Sequence, residues 1–121
     1  MDEDIKGKKV LIVDDDASIG RMLGRILQKM QRGYSFALSA EEARRMLKEE
    51  AFDLILCDIL LPGESGMDLI EYVMSEYPDM AVIMVSGVDD PQTVEKALEI
   101  GASGFIVKPF KTSEVMINVS S

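Results

Sequence analysis

The sequence predicts an α/β fold, a parallel sheet whose strands alternate with helices through right-handed crossovers. Two observations predict it. Four short apolar runs, residues 10–13, 54–57, 81–85 and 105–107, are nearly continuous rather than alternating, as strands covered on both faces require. Between them, apolar residues recur at three- and four-residue spacing, the mark of amphipathic helices. A chain of 121 residues is enough for one domain with a core that needs no staples.

In chain order, the first strand is VLIV. Ile19, Met22, Leu23, Ile26, Leu27 and Met30 follow at helical spacing, and Gly33 is read as the stop. Gly20 and Gly24 lie one turn apart inside that helix, each costing roughly 1 kcal/mol against alanine, so close packing against the sheet is expected there. A weaker run, residues 34–38, reads as an edge strand. Ala40, Ala43, Met46 and Leu47 make a short second helix, and LILC is the third strand. Leu69, Ile70, Val73, Met74 and Tyr77 make a third helix, followed by the strand AVIMV. Asp90 and Pro91 read as N-cap and first residue of a fourth helix with Val94, Ala97 and Leu98 on its apolar face, and Gly101 closes it. FIV is the fifth strand. The tail KTSEVMINVSS opens a fifth helix, with Thr112 or Ser113 as cap, that stops after about three turns. The expected organisation is a leader over residues 1–7 and one domain over residues 8–121 with a shortened fifth helix, as in a piece of a longer chain.

Composition narrows the function. With 13 basic and 22 acidic residues the formal charge is −9, which argues against nucleic-acid binding by this domain. The absence of histidine removes histidine metal ligands, histidine bases and Ser/His triads together. Cys57, the lone cysteine, sits in an apolar run and reads as a buried hydrophobe. No apolar run approaches membrane-spanning length and the start lacks a signal-peptide core, so the expected compartment is the cytoplasm, with no membrane partner. The nine methionines read as core filler.

In an open α/β sheet, ligands bind beyond the carboxyl ends of the strands. The first strand here ends in Asp14, Asp15 and Asp16, the third in Asp58, the fourth in Ser86-Gly87 and the fifth in Lys108-Pro109. Three adjacent aspartates are costly, since two unit charges 4 Å apart repel by about 4 kcal/mol at an effective dielectric near 20. Taken alone, the triplet is either a solvated turn with one carboxylate capping the next helix, or a cation site. The four strand ends together fit one chemistry. Clustered carboxylates suit a hard, oxygen-liganded cation such as magnesium. A phosphoryl group needs its charge met by such a cation, a lysine and hydrogen-bond donors. A carboxylate can itself be the nucleophile, and Asp58, which opens the loop DILLPGESG, is the candidate.

VLIVDDD, DLILCDILLPGESG, VIMVSG and GFIVKPF, in this order and at these intervals, resemble the receiver domain of two-component response regulators, over roughly Lys8 to the C-terminus. The resemblance implies a doubly wound, five-stranded parallel sheet of order 2-1-3-4-5, the flavodoxin-like (βα)5 arrangement that the chemotaxis regulator of this family exemplifies. It implies that Asp58 is the phosphoacceptor, taking a phosphoryl group from a sensor histidine kinase or a histidine phosphotransfer protein. Asp14 and Asp15 match the acidic pair that holds Mg2+ (or Mn2+) together with Asp58 and the main-chain carbonyl of Leu60. Lys108 matches the lysine that pairs with the phosphoryl oxygens, before a Pro109 bond that is cis in most relatives. Ser86 matches the switch hydroxyl, Gly87 the small residue beside the access path, and Phe105 the aromatic that follows the hydroxyl inward. The output domain or downstream partner would read the face of the fourth helix, fifth strand and fifth helix, where a homodimer is a further arrangement the resemblance allows. The protein is then a signalling switch that assists its own phosphoryl transfer rather than an enzyme.

Three departures from the family pattern bear on this. Serine stands where threonine is more frequent at position 86, Phe105 lacks a phenol hydroxyl, and Leu60 and Val88 are both apolar at positions that tune attack by water. Slow self-dephosphorylation is expected. Asp16 is not needed as a ligand and reads as a cap for the helix opening at Ala17–Ser18. A rival reading takes Asp14-x-Asp16-x-Ser18-Ile19 as the nucleophile motif of haloacid-dehalogenase-like phosphatases, with Asp14 as nucleophile and Asp16 as general acid. It requires a further acidic motif after the lysine, where only Glu114 remains, and leaves Asp58 unexplained. A second rival, a pseudo-receiver that only docks partners, predicts the loss of at least one of Asp58, Lys108 or the acidic pair, and all are present.

Overall fold

A computed structural model describes residues 9–120, so the expected leader over residues 1–7 lies outside the described residues. Five parallel strands, β1 (Lys9–Val13), β2 (Gly33–Ala37), β3 (Leu54–Cys57), β4 (Ala81–Ser86) and β5 (Gly104–Val107), form one sheet in the order β2-β1-β3-β4-β5. They alternate with α1 (Ala17–Lys29), α2 (Ala40–Glu49), α3 (Gly66–Glu76), α4 (Pro91–Ile100) and α5 (Thr112–Ser120). This is the doubly wound 2-1-3-4-5 fold that the motifs imply.

The strand pleat divides the core into two layers. Leu11, Val13, Ile55, Cys57, Val82 and Met84 face one way, against Ala40, Ala43 and Leu47 of α2, Leu69, Ile70 and Val73 of α3 and Ala97 of α4. Val10, Ile12, Leu54, Leu56, Ile83, Val85 and Ile106 face the other way, against Leu23, Ile26 and Leu27 of α1 and Val115 of α5. Burial on both faces is why these strands read as unbroken apolar runs. Each such side chain contributes roughly 1.5–3 kcal/mol.

The helix starts follow their caps. Asp16, Ser39, Ser65 and Asp90 each accept from a backbone amide of the first turn. Gly20 and Gly24 are tight because of two rings on the edge strand. A Cβ at Gly20 would lie 2.3 Å from the Phe36 ring, and one at Gly24 2.6 Å from the Tyr34 ring.

The structure corrects four local expectations. Gly33 does not stop α1: the helix ends at Lys29, Gln31 takes the left-handed turn at φ 60°, and the Arg32 amide donates to the Leu27 carbonyl. Gly33 instead opens β2. Neither Thr112 nor Ser113 precedes α5. The Lys111 carbonyl accepts from Glu114 and Val115, while the Glu114 carboxylate accepts from the Lys111 amide at 2.7 Å, a reciprocal cap one residue earlier. Leu98 is not on the buried face of α4: it is 51% exposed, and Ala97 is the buried residue. Met22 and Met116 are likewise exposed rather than core filler.

Candidate functional site

The site is built by extending the sheet's ladder one residue past the strands. The Asp14 amide donates to the Ala37 carbonyl at 3.1 Å, the Asp58 amide to Val13 at 3.0 Å, and the Lys108 amide to Ser86 at 2.9 Å. Three residues that ended separate sequence motifs are thereby aligned on one rim, the carboxyl edge of β1, β3 and β5. Ser86, the last residue of β4, completes it.

Lys108 organises the charges. Its Nζ donates to Asp14 Oδ2 and to Asp58 Oδ2, each at 2.8 Å. The other oxygens are also engaged: Asp14 Oδ1 accepts from the Asp16 amide at 2.9 Å, and Asp58 Oδ1 from the Leu60 amide at 3.2 Å. Asp14 and Asp58 are buried, at 2% and 6% exposure, whereas Asp15 is open to solvent. Burial pushes the Asp14 carboxyl above the usual aspartate range, against the hydrogen bond from Lys108. For Lys108, burial alone would lower the ammonium's pKa, but its bonds to Asp14 and Asp58 outweigh that and raise it. The ammonium therefore stays charged at neutral pH.

Carboxylate oxygens of Asp14, Asp15 and Asp58 lie within 4.8 Å of one another. Among the described residues Lys108 is the cation bonded to Asp14 and Asp58, so three carboxylates share one ammonium and the cluster keeps an excess of negative charge on an all-oxygen donor set. That set fits Mg2+ or Mn2+ and does not fit a soft metal. The expected ligands Asp14, Asp15 and Asp58 are thus brought together, and the Leu60 main chain is tied to Asp58 through its amide.

The remaining predicted residues sit around this core. Ser86 is fully buried, and its Oγ accepts from the Val88 amide at 3.2 Å. Gly87 is exposed, with open space where a Cβ would stand. Phe105 is half-buried against the α2/α3/α4 layer, and the Lys108–Pro109 peptide is cis. Asp16 stays outside the cluster. Its Oδ1 accepts from the Ser18 amide at 2.9 Å and the Ser18 hydroxyl at 2.6 Å, which lowers its pKa, as a cap requires. Glu114 is likewise engaged in capping α5, so neither acid is placed for phosphatase chemistry. Cys57 is fully buried, and burial raises its thiol pKa, as expected of a core residue.

A model of the response regulator receiver domain family matches residues 10–120. The chain belongs to this family. The receiver domain is 38% identical over 102 residues to the response regulator protein PilR of Pseudomonas aeruginosa, covering 84% of the chain but 23% of PilR. It therefore spans about a quarter of that relative's length. Among solved structures, a CheY-like receiver domain protein from Methanospirillum hungatei superposes with a TM-score of 0.90 at 32% identity, covering 94% of this chain and 91% of the other. CheY4, a chemotaxis protein of Vibrio cholerae, gives 0.88 at 28% identity, covering 94% and 97%. The BeF3-activated DrrB receiver domain gives 0.85 at 29% identity, covering 94% and 95%.

One feature of the receiver site carried no signal in the sequence. Arg44 of α2 donates through Nε to Glu64 Oε1 at 3.1 Å and through Nη2 to Glu64 Oε2, bracing the loop that follows Asp58. The partners stand twenty positions apart; Glu64 lies in the quoted loop DILLPGESG but Arg44 lies in no motif, and only the fold brings them together.

Proposed function

We propose that this receiver domain takes a phosphoryl group from the phosphohistidine of a sensor histidine kinase or a histidine phosphotransfer protein onto Asp58. A P–O bond forms at an Asp58 carboxylate oxygen as the donor's P–N bond breaks, and the leaving imidazole nitrogen takes a proton from water. The observation that carries this reading is Lys108 Nζ held 2.8 Å from both Asp14 and Asp58, a cation at the rim where phosphoryl charge would arrive. Asp14, Asp15, Asp58 and the Leu60 carbonyl would hold Mg2+ (or Mn2+), which when bound supplies further positive charge to the phosphoryl oxygens.

Switching follows from differential binding. Ser86 Oγ now accepts from the Val88 amide, and turning its hydroxyl to the phosphoryl group would release that bond and let Phe105 repack. Exposed Leu98 and Val107 give the α4/β5/α5 face an apolar character suited to an output domain, a downstream partner or a second copy. No described helix is long and apolar enough to cross a membrane, and we place the domain in the cytoplasm.

Intact-mass analysis after treatment with acetyl phosphate and Mg2+ tests the assignment. One phosphoryl adduct is expected on the wild type and none on Asp58→Asn. A labelled Asp58→Asn beside an unlabelled Asp14→Asn would move the nucleophile to β1 and overturn it.

A further inference from the structure

The loop from Asp58 to Ser65 carries the Leu60 main chain, and a backbone amide near each end anchors it. The Leu60 amide is tied to Asp58, and the Gly66 amide donates to the Ile59 carbonyl at 2.7 Å. A Cβ at Gly66 would lie 1.9 Å from the Asp58 carbonyl oxygen, so α3 starts hard against the strand end. Between these anchors, Leu60, Pro62 and Gly63 are exposed, and Gly63 takes φ 80°. What braces this stretch is the Glu64 carboxylate, gripped by both arms of the Arg44 guanidinium. The guanidinium also lies over the Tyr72 ring on α3, its carbon 4.2 Å from the ring centroid. Arg44 and Glu64 are each about two-thirds withdrawn from solvent, at 33% and 28% side-chain exposure. A planar fork seated over a ring, with two of its nitrogens on one carboxylate, is a stiffer link than a loose surface pair.

We infer that Arg44 is a positioning residue for the cation site, holding the loop through Glu64 so that the Leu60 main chain stays beside Asp58. This inference rests on the reading that Asp14, Asp15, Asp58 and the Leu60 carbonyl hold Mg2+. Positioning and plain electrostatics make opposite predictions. Removing a positive charge near a cation site should tighten cation binding if only charge matters. If the link holds a ligand in place, its removal should loosen binding.

The test is calorimetric titration of the unphosphorylated protein with Mg2+, with thermal melts alongside, for wild type, Arg44→Ala, Glu64→Ala, the double variant and Arg44→Lys. Arg44→Ala and Glu64→Ala should each weaken Mg2+ binding by roughly tenfold, the low end for groups that orient metal ligands. The double variant should be no weaker than either single one, because one link is broken in all three. Arg44→Lys, which keeps the charge without the fork, should fall between. Tighter binding by Arg44→Ala, or unchanged binding with a lower Tm, would overturn the inference while leaving the cation site standing. A wild type that binds no Mg2+ would overturn the site itself and this inference with it.

Discussion

Replacing Lys108 by methionine isolates what the shared lysine contributes. Among the described residues its ammonium is the cation bonded to Asp14 and Asp58, two carboxylates buried beneath the rim. Lys108→Met keeps the length and apolar stem but leaves both carboxylates facing each other without the cation between them, each keeping only a backbone amide on its other oxygen. Breaking a buried ion pair from one side typically costs about 3–5 kcal/mol, mostly through the charge left behind. Lys108 retains 20% side-chain exposure and Asp15 stands in solvent beside the cluster, so water screens part of this, and about 2–3 kcal/mol is expected. For a chain of this size each kcal/mol moves Tm by about 4 °C, which puts the loss near 10 °C. The assay is urea and thermal unfolding in the presence of a chelator. Asp58→Asn in the Lys108→Met background should recover much of the loss, since it removes one of the two opposed charges, giving a coupling of about 1–2 kcal/mol. A Lys108→Met protein as stable as wild type would refute the reasoning, because the lysine would then not be compensating buried charge.

The other expectations are separate. Gly20→Val should destabilise by roughly 1–3 kcal/mol, the usual cost of overpacking, because its Cβ alone would stand 2.3 Å from the Phe36 ring, which must move; Phe36→Leu should rescue it in denaturant melts. The aspartyl phosphate of the isolated domain should hydrolyse slowly, since Leu60 and Val88 offer no polar group to orient a water, and a half-life of seconds measured by loss of the mass adduct would contradict this. Asp90 caps α4 with its pKa held below the usual aspartate range by the Thr93 hydroxyl and amide. That stabilisation is present above the usual range and is lost as pH falls through the lowered value, so Asp90→Ala should destabilise at pH 7 and lose much of its effect near pH 3, as urea melts at both values would show.

What the sequence revealed of the site follows from the sheet, and what it hid does not. Asp14, Asp58, Ser86 and Lys108 were legible because each stands where an apolar run meets a polar group, and in a parallel sheet those points fall on one edge. The ladder bonds Asp14–Ala37, Asp58–Val13 and Lys108–Ser86 are that inference in atomic form. Gly33 misled because a glycine after a helical run is the usual stop, while here the chain turned through Gln31, with the Arg32 amide closing on Leu27. Leu98 misled because spacing alone cannot separate an apolar residue facing the core from one on an exposed face. The pairing of Arg44 with Glu64 was invisible for a different reason. Their pairing depends on where α2 sits against the β3–α3 loop, a tertiary fact with no local pattern.

The same rim also limits how far phosphorylation alone can drive the proposed switch. Lys108 is already spent on two carboxylates, so a phosphoryl group on Asp58 that draws on it would gain only the difference between new bonds and those given up, and turning Ser86 toward the group would cost the bond its oxygen accepts from the Val88 amide. Couplings of this kind are worth about 1–3 kcal/mol, or roughly 5–150-fold in an equilibrium. Moving a two-state population from 1:99 to 99:1 requires about 5.5 kcal/mol. The gap must be closed in one of two ways. Either the unphosphorylated domain already populates its active arrangement by more than a few per cent, or a partner seated on the α4/β5/α5 face supplies the remainder. In the second case the exposed apolar residues of the proposed face, Leu98 and Val107, would enter the energetics of the switch as well as its readout.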